Sequence, residues 1–513
     1  EHSGDVINTS STTHYDTDAD GDTLIVSEVR TGNTEDAGTA GTIGSALTGT
    51  YGQLTLRANG SYTYVANQTA ADALDDGDIV YDYFNYTVDD QTGAANDEDH
   101  GVITITVIGV NDVPTAQDDV GVIAEGSTLT VANSANATLT GDSYDATGEN
   151  SGDLIDTSSA SHTDSDADAS SSLSITHIKL SGGSNSTVAS SSSYNSNGTS
   201  ITGTYGTLTI GADGSYTYAA TTDATDALDS GESATDTFVY TLSDGTRITT
   251  ANLTITVLGS NDAPVAQNDV GVIAEDSTLT VSDGADANET GGSYNATGEH
   301  SGDVIDSSNT STRDTDVDVE TLTVTAIRLG SSEGSGTAGT VGSALTGTYG
   351  QLTLNSNGSY SYVANQTAAD ALDAGDSVTD SFNYTVSDGT ATDTAVITIT
   401  VLGINDTPTA QNDVGVIVED GTLTVANGAN ATLTGDSYDA TGENSGDLMD
   451  TSSSSHKDSD ADDSASLSIT QIKKNGGSNS AVASGSSYNS SGTSVTGTYG
   501  TLTIGADGSY TYA

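Results

Sequence analysis

The sequence predicts an all-β chain of tandem Ig-like β-sandwich domains strung in an elongated array. Three observations lead there. Runs in which apolar residues alternate with Thr recur along the chain at wide, regular spacing. Asn-Gly and Asp-Gly pairs sit between short apolar strands in four places, the strongest local hairpin signal. Gly, Ser, Thr, Asn and Asp dominate the composition, and these residues favour turns and strands over helices.

The hairpins come first. Leu54-Thr55-Leu56, Asn59-Gly60 and Tyr62-Thr63-Tyr64 read as strand, turn and strand, and the unit recurs around Asp213-Gly214, Asn357-Gly358 and Asp507-Gly508. A second landmark is Phe84-Asn85-Tyr86-Thr87-Val88, with counterparts beginning at Phe238 and Phe382. These are the only Phe residues, and a β-rich chain without Trp needs them as core anchors. A third is the strand Val102-Ile103-Thr104-Ile105-Thr106-Val107, matched by Leu253 to Val257 and Val396 to Val401. Its apolar residues share one face at period two. Each such run leads into Asn111-Asp112-Val113-Pro114, Asn261-Asp262-Ala263-Pro264 or Asn405-Asp406-Thr407-Pro408, which hold all three prolines. Single helical turns are expected near 70–74, 224–228 and 368–372. The domains predicted are 1–112 (partial), 113–262, 263–406 and 407–513 (partial). Repeats one and three share Gly-Ser-Ala-Leu-Thr-Gly-Thr-Tyr-Gly-Gln, whereas two and four share Gly-Glu-Asn-Ser-Gly-Asp-Leu, so the period is a two-domain unit of roughly 300 residues.

Charge narrows the function. The 513 residues carry a formal net charge of −64, from 73 acidic and 9 basic residues. Such a surface repels nucleic acid and anionic membranes. It also repels itself, so the chain either stays disordered or is neutralised by cations, and the regular apolar alternation favours cations. Without cysteine no disulfide can staple small cores. No apolar run is long enough for a membrane-spanning helix, so membrane insertion is not expected.

The sharpest constellation is acidic. Asp16, Asp18 and Asp20 alternate with small residues, as do Asp164, Asp166 and Asp168, then Asp314, Asp316 and Asp318, then Asp458, Asp460 and Asp462. Carboxylates at alternate positions of a turn can converge on one hard cation, and Ca2+ takes six to eight oxygens in flexible geometry. The opposing reading is a solvated acidic turn. An EF-hand is excluded by the absence of a twelfth-position Glu and flanking helices.

Taken in order, the Asp-x-Asp-x-Asp turn, the Asn/Asp-Gly-Ser-Tyr hairpin, the Phe-x-Tyr-Thr strand and the Ile-Thr-Val strand with Asn-Asp-x-Pro resemble the VCBS repeat and the related bacterial cadherin-like domains. The resemblance runs along essentially the whole chain. It implies a large bacterial surface or secreted protein, exported by type I secretion and acting in adhesion or biofilm. Similarity to animal cadherins further implies calcium between successive domains. Its ligands would be Glu125, Glu275 and Glu419 in the first strands, Asp75, Asp229 and Asp373 after a Leu, and the linker residues Asp112, Asp262 and Asp406. The first linker Asp and the Arg-Glu pair of that pattern are absent here.

Catalysis finds little footing. There is no Cys nucleophile, no Gly-x-Ser-x-Gly elbow with an accompanying triad, and no zinc spacing among the His residues. The expectation is therefore a non-enzymatic structural or adhesive extracellular fibre segment, rigidified by calcium at Asp turns and linkers. Its partners would be calcium, other copies of itself, and a cell-surface or carbohydrate receptor. The alternatives are a carbohydrate- or partner-binding surface module, or a spacer in a larger secreted enzyme. Glu1 corresponds to Glu299 and Ala513 to Ala219, so the expectation is a window of a longer polymer, the alternative being sandwiches completed by neighbouring chains through strand addition.

Overall fold

The computed structural model describes residues 2–8, 14, 16–95, 97–138, 144–156, 158–305, 310–433, 438–449 and 451–513. The described residues form almost only strands and turns, with single helical turns at Thr69–Asp72, Asp223–Asp226 and Thr367–Asp370, where the sequence places them. The chain divides into two compact units, Glu1–Asn261 and Asp262–Ala513. Each contains two pairs of sheets.

The second pair shows the plan most completely. One sheet is ordered Ser186–Thr187, Ser174–Leu180, Ser233–Ser243, Ile248–Leu258, Asp119–Ala124; the other is ordered Thr199–Thr202, Thr207–Ile210, Tyr216–Ala219, Thr128–Val131. The Ile248–Leu258 strand alternates buried and half-buried residues, as the apolar/Thr alternation requires. The third pair repeats the plan with Asp269–Ala274, Thr392–Leu402, Ser377–Ser387, Thr323–Leu329 and Thr337–Ala338 facing Thr278–Val281, Tyr360–Val363, Gln351–Leu354 and Leu345–Thr346. In both pairs the leading strand joins the sheet in parallel, Leu253 beside Asp119 and Ile397 beside Asp269. That pairing links residues far apart in sequence and leaves no local signal.

Between the sheets the Phe residues are fully buried, as expected of core anchors. Each meets a hairpin Tyr edge-on: Tyr64–Phe84 at 6.2 Å, Tyr218–Phe238 at 6.1 Å and Tyr362–Phe382 at 6.3 Å between ring centroids. A buried carboxylate ties this Tyr to the neighbouring turn. Asp236 accepts the Tyr218 hydroxyl at 2.6 Å and the N–H groups of Thr204 and Tyr205 at 2.9 and 3.0 Å. Asp82 and Asp380 do the same for Tyr64 and Tyr362. The Thr-Gly-Thr-Tyr-Gly turn is thereby held without a cationic side chain. Gly203 belongs there because a Cβ at that position would lie 2.0 Å from the Asp236 carboxylate.

One expectation needs correction. Glu125 and Glu275 do not lie within the first strands but one residue beyond them, where their N–H groups donate to Leu258 and Leu402 carbonyls at 3.0 Å. Glu419 lies in no strand and is exposed.

Phe238→Ala should cost roughly 3–5 kcal/mol, because the ring fills a sealed interior. Hydrogen exchange should rise across the strands from Asp119 to Leu258 and stay unchanged from Asp269 to Leu402; a uniform rise would contradict separate cores.

Candidate metal centre

The Asp triplets do not act as single clusters. Their first member turns inward. Asp164 and Asp314 are buried, and each accepts the backbone N–H of Gln117 or Gln267 at 2.7 or 2.6 Å. Asp458 accepts Gln411 N–H at 2.6 Å, and Asp16 accepts the Tyr86 hydroxyl at 2.8 Å. The expected convergence of all three carboxylates on one cation therefore does not match this geometry: burial and backbone donors draw the first away.

The second and third members are held by backbone amides of the turn and the linker. Asp166, Asp316 and Asp460 each accept the N–H of the third Asp through Oδ1, at 2.9, 3.0 and 3.2 Å. The third members Asp168, Asp318 and Asp462 in turn accept the linker N–H of Asp112, Asp262 and Asp406 through Oδ2, at 2.9, 2.7 and 3.1 Å. In the first repeat Asp18 accepts Asp20 N–H at 2.8 Å and Asp22 N–H at 3.0 Å, with Asp20 exposed. The linker Asn-Asp is thus more than a plain turn, since its backbone amide seats a triplet carboxylate.

These contacts leave oxygens over. Asp166 Oδ2, Asp168 Oδ1, Asp316 Oδ2, Asp318 Oδ1, Asp462 Oδ1 and Glu275 Oε2 are buried without a hydrogen-bond partner. A carboxylate oxygen removed from water with nothing to replace it carries a large penalty. Around the junction of the third and fourth repeats, burial raises the Glu275 carboxyl, and the neighbouring Asp406, Asp276 and Asp462 raise it further. Desolvation and then Asp462 do the same to Asp406. Around the junction of the first and second, Asp112 is raised by desolvation, then by Asp168, Asp72 and Asp166. An open cleft at the former junction is lined by Asp373, Asn405, Asp460 and Asp462 among others. An all-oxygen, multiply acidic donor set of this kind fits a hard divalent cation such as Ca2+.

The remaining candidates have local partners. Glu125 Oε1 accepts Ser260 N–H at 2.8 Å, and the equivalent Glu275 oxygen accepts Ile404 N–H at 2.5 Å. Asp229 is half-buried and accepts the N–H of Ser230. Both oxygens of Asp373 are engaged by Ser464. His162 and His456, just before the triplets, direct Nδ1 to the carbonyls of Asp118 and Asn412 at 2.6 Å, a structural tie.

Sequence reasoning missed a second acidic group in the interior. Asp119 is fully buried; Ser151 Oγ donates to it at 2.9 Å, and the Tyr240 hydroxyl lies 2.9 Å away. That hydroxyl also lies 2.8 Å from Gln117 O and 3.2 Å from Asp164 Oδ2. One phenolic proton cannot serve three acceptors, which favours the protonated form of a neighbouring carboxyl. Burial pushes Asp119 up to about 8 and Asp164 up to about 7. Asp269, Ser301, Tyr384 and Asp314 repeat the arrangement, with burial raising Asp269 well above the carboxylate range. The available signal was an Asp opening each Asp-Val-Gly-Val-Ile run.

Comparison with family models matches residues 261–403 to the bacterial cadherin-like domain. Comparison with curated proteins finds no match. Solved structures that match include the endo-fucoidan hydrolase MfFcnA4 from glycoside hydrolase family 107, at 14% identity over 74% of this chain and 39% of that one, with a TM-score of 0.18. The chain spans about two-fifths of that hydrolase's length. Drosophila N-cadherin EC1-4 matches at 10% identity over 83% of this chain and 75% of that one, with a TM-score of 0.23. Mouse clustered PcdhgC3 EC1-3 matches at 12% identity over 74% and 89%, with a TM-score of 0.30.

The interior acids set a pH dependence. Folded Asp119 and Asp164 retain protons that the unfolded chain, with carboxyl values near 4, releases. Stability should therefore fall as pH rises from about 4 through about 8. Asp119→Asn, which keeps the shape without the charge, should flatten this fall for the second repeat in melting curves recorded across that range. An unchanged pH profile would contradict the assignment.

Proposed function

We propose that this chain, whose residues 261–403 belong to the bacterial cadherin-like domain family, is a structural or adhesive segment of an extracellular repeat protein, stiffened by calcium at its repeat junctions. The proposed repeats are 1–112, 113–262, 263–406 and 407–513. The reading rests on one observation above all: within each compact unit, buried carboxylate oxygens without partners lie on acids held against a linker, Asp168 against Asp112 and Asp462 against Asp406. Asp112, Asp166 and Asp168 would hold the ion at the first junction, and Glu275, Asp406, Asp460 and Asp462 at the junction of the third and fourth repeats, where Asp373 is held by Ser464 instead. Glu125 and Asp229 in the first unit, and Asp262, Asp316 and Asp318 in the second, stand at the equivalent sequence positions, as does Glu419 in the fourth repeat. The inward-facing Asp16, Asp164, Asp314 and Asp458 would support the turn rather than bind; Asp18 and Asp20 remain as acids of the first repeat's turn.

Bound calcium supplies positive charge and replaces the water that these oxygens have lost. The chain's part is to seat the acids through backbone amides, so that little ordering remains when the ion arrives. Extracellular calcium modules bind at roughly 10⁻⁴–10⁻³ M, which would make the junctions stiff outside a cell and loose where calcium is scarce. Among the described residues no helix is long and apolar enough to cross a membrane. An adhesive fibre needs no reactive group.

Melting in calcium and again in excess EGTA tests this. At a hundredfold excess over the dissociation constant a single site adds about 2.7 kcal/mol, so a calcium-specific rise in melting temperature is expected. Equal curves, or a rise reproduced by matched monovalent salt, would contradict the reading.

A further inference from the structure

We propose that Ser170 and Ser464 are metal-independent latches, each gripping the junction carboxylate of the preceding repeat, Asp75 or Asp373, through its hydroxyl and its backbone amide together. Asp75 follows the helical turn Thr69–Asp72 of the first repeat, and Ser170 lies two residues past Asp168 in the second. Ser170 N–H donates to Asp75 Oδ1 at 3.1 Å, and Ser170 Oγ–H donates to Oδ2. The same pair of bonds joins Ser464 to Asp373, with N–H to Oδ1 at 3.1 Å and Oγ–H to Oδ2. Beside it Asp463 N–H donates to Ala371 O at 3.1 Å. Two donors from one residue on both oxygens of one carboxylate fix direction as well as distance, as a bidentate guanidinium would. The contact arises once within each compact unit, from independent copies of the sequence.

The chemistry at this register differs between the two kinds of repeat. Two residues past the last Asp of the triplet stand Ser170 and Ser464 in repeats two and four, but Asp22 and Glu320 in repeats one and three. A serine hydroxyl donates to a carboxylate; a carboxylate at the same place cannot. A Ser at this register therefore holds the preceding repeat's acid without metal, beside whatever calcium the same junction takes up. The contrast with calcium rests on the function proposed above; the latch itself does not.

Both serines are exposed, so substitution should leave the fold intact. The test is amide hydrogen exchange on the full chain in excess EGTA. Residues 170 and 464 should be protected in the native protein. Ser170→Ala with Ser464→Ala should exchange about tenfold faster there, and Ser170→Thr with Ser464→Thr, which keeps the hydroxyl, should restore protection. Loop-like exchange of the native amides in EGTA, or an alanine variant indistinguishable from the native chain, would overturn the latch. Ser170→Glu with Ser464→Glu should lose protection in EGTA and regain it with added calcium. If the alanine variant behaves as stated but the glutamate variant ignores calcium, the latch stands and the calcium reading falls.

Discussion

Everything in this chain depends on how carboxylates are satisfied when almost no cationic side chains exist to meet them. With 73 acids and 9 Lys or Arg residues, ion pairing cannot be the answer. Among the described residues the ion pairs are Arg30–Glu28 at 3.2 Å and His100–Asp36 at 3.4 Å. Acids are met instead in three ways. Backbone amides and a Tyr hydroxyl meet Asp236 and its counterparts, which fixes the hairpin turn against the core. Retained protons and hydroxyls meet Asp119 and Asp269 inside the sandwich. At the junctions, amides meet one oxygen of each acid and leave another bare. The first two solutions are complete within a repeat. The third is incomplete, and that incompleteness is what the proposed calcium would satisfy.

How much of this the sequence discloses follows from the range of each interaction. The hairpins at Asn59-Gly60 and Asp213-Gly214 are legible because turn and strands lie within a dozen residues and each glycine needs positive φ, +84° and +85° here. Phe84, Phe238 and Phe382 are legible as core because period-two alternation surrounds them. The parallel seating of Asp119–Ala124 beside Ile248–Leu258 is not, since it joins the two ends of one repeat. The triplets mislead for a related reason. Alternate spacing suggests three carboxylates on one face, but Gln117 N–H and Tyr240, both remote in sequence from Asp164, decide that it turns inward. Glu125 was placed a residue too early because nothing local marks the strand end; the Leu258 carbonyl does.

The acidic surface also connects stability to function. On the proposed reading, charge that is repulsive without calcium would be neutralised with it. Pairing repeats through a serine latch would keep part of the array coupled even when calcium is withdrawn. The interior Asp–Tyr groups act differently: they couple each sandwich to pH.

The central claim is that the partnerless junction oxygens are calcium ligands. Equilibrium dialysis with labelled calcium tests it most directly, on the native chain and on a chain carrying Asp168→Asn and Asp462→Asn. Both substitutions preserve the side-chain oxygen that accepts the linker amide and remove the charge of the acid with the bare oxygen. The account predicts saturable calcium binding by the native chain and fewer ions bound by the variant, with the remaining sites unchanged. Equal stoichiometry in the two chains, or no saturable binding in either, would contradict it.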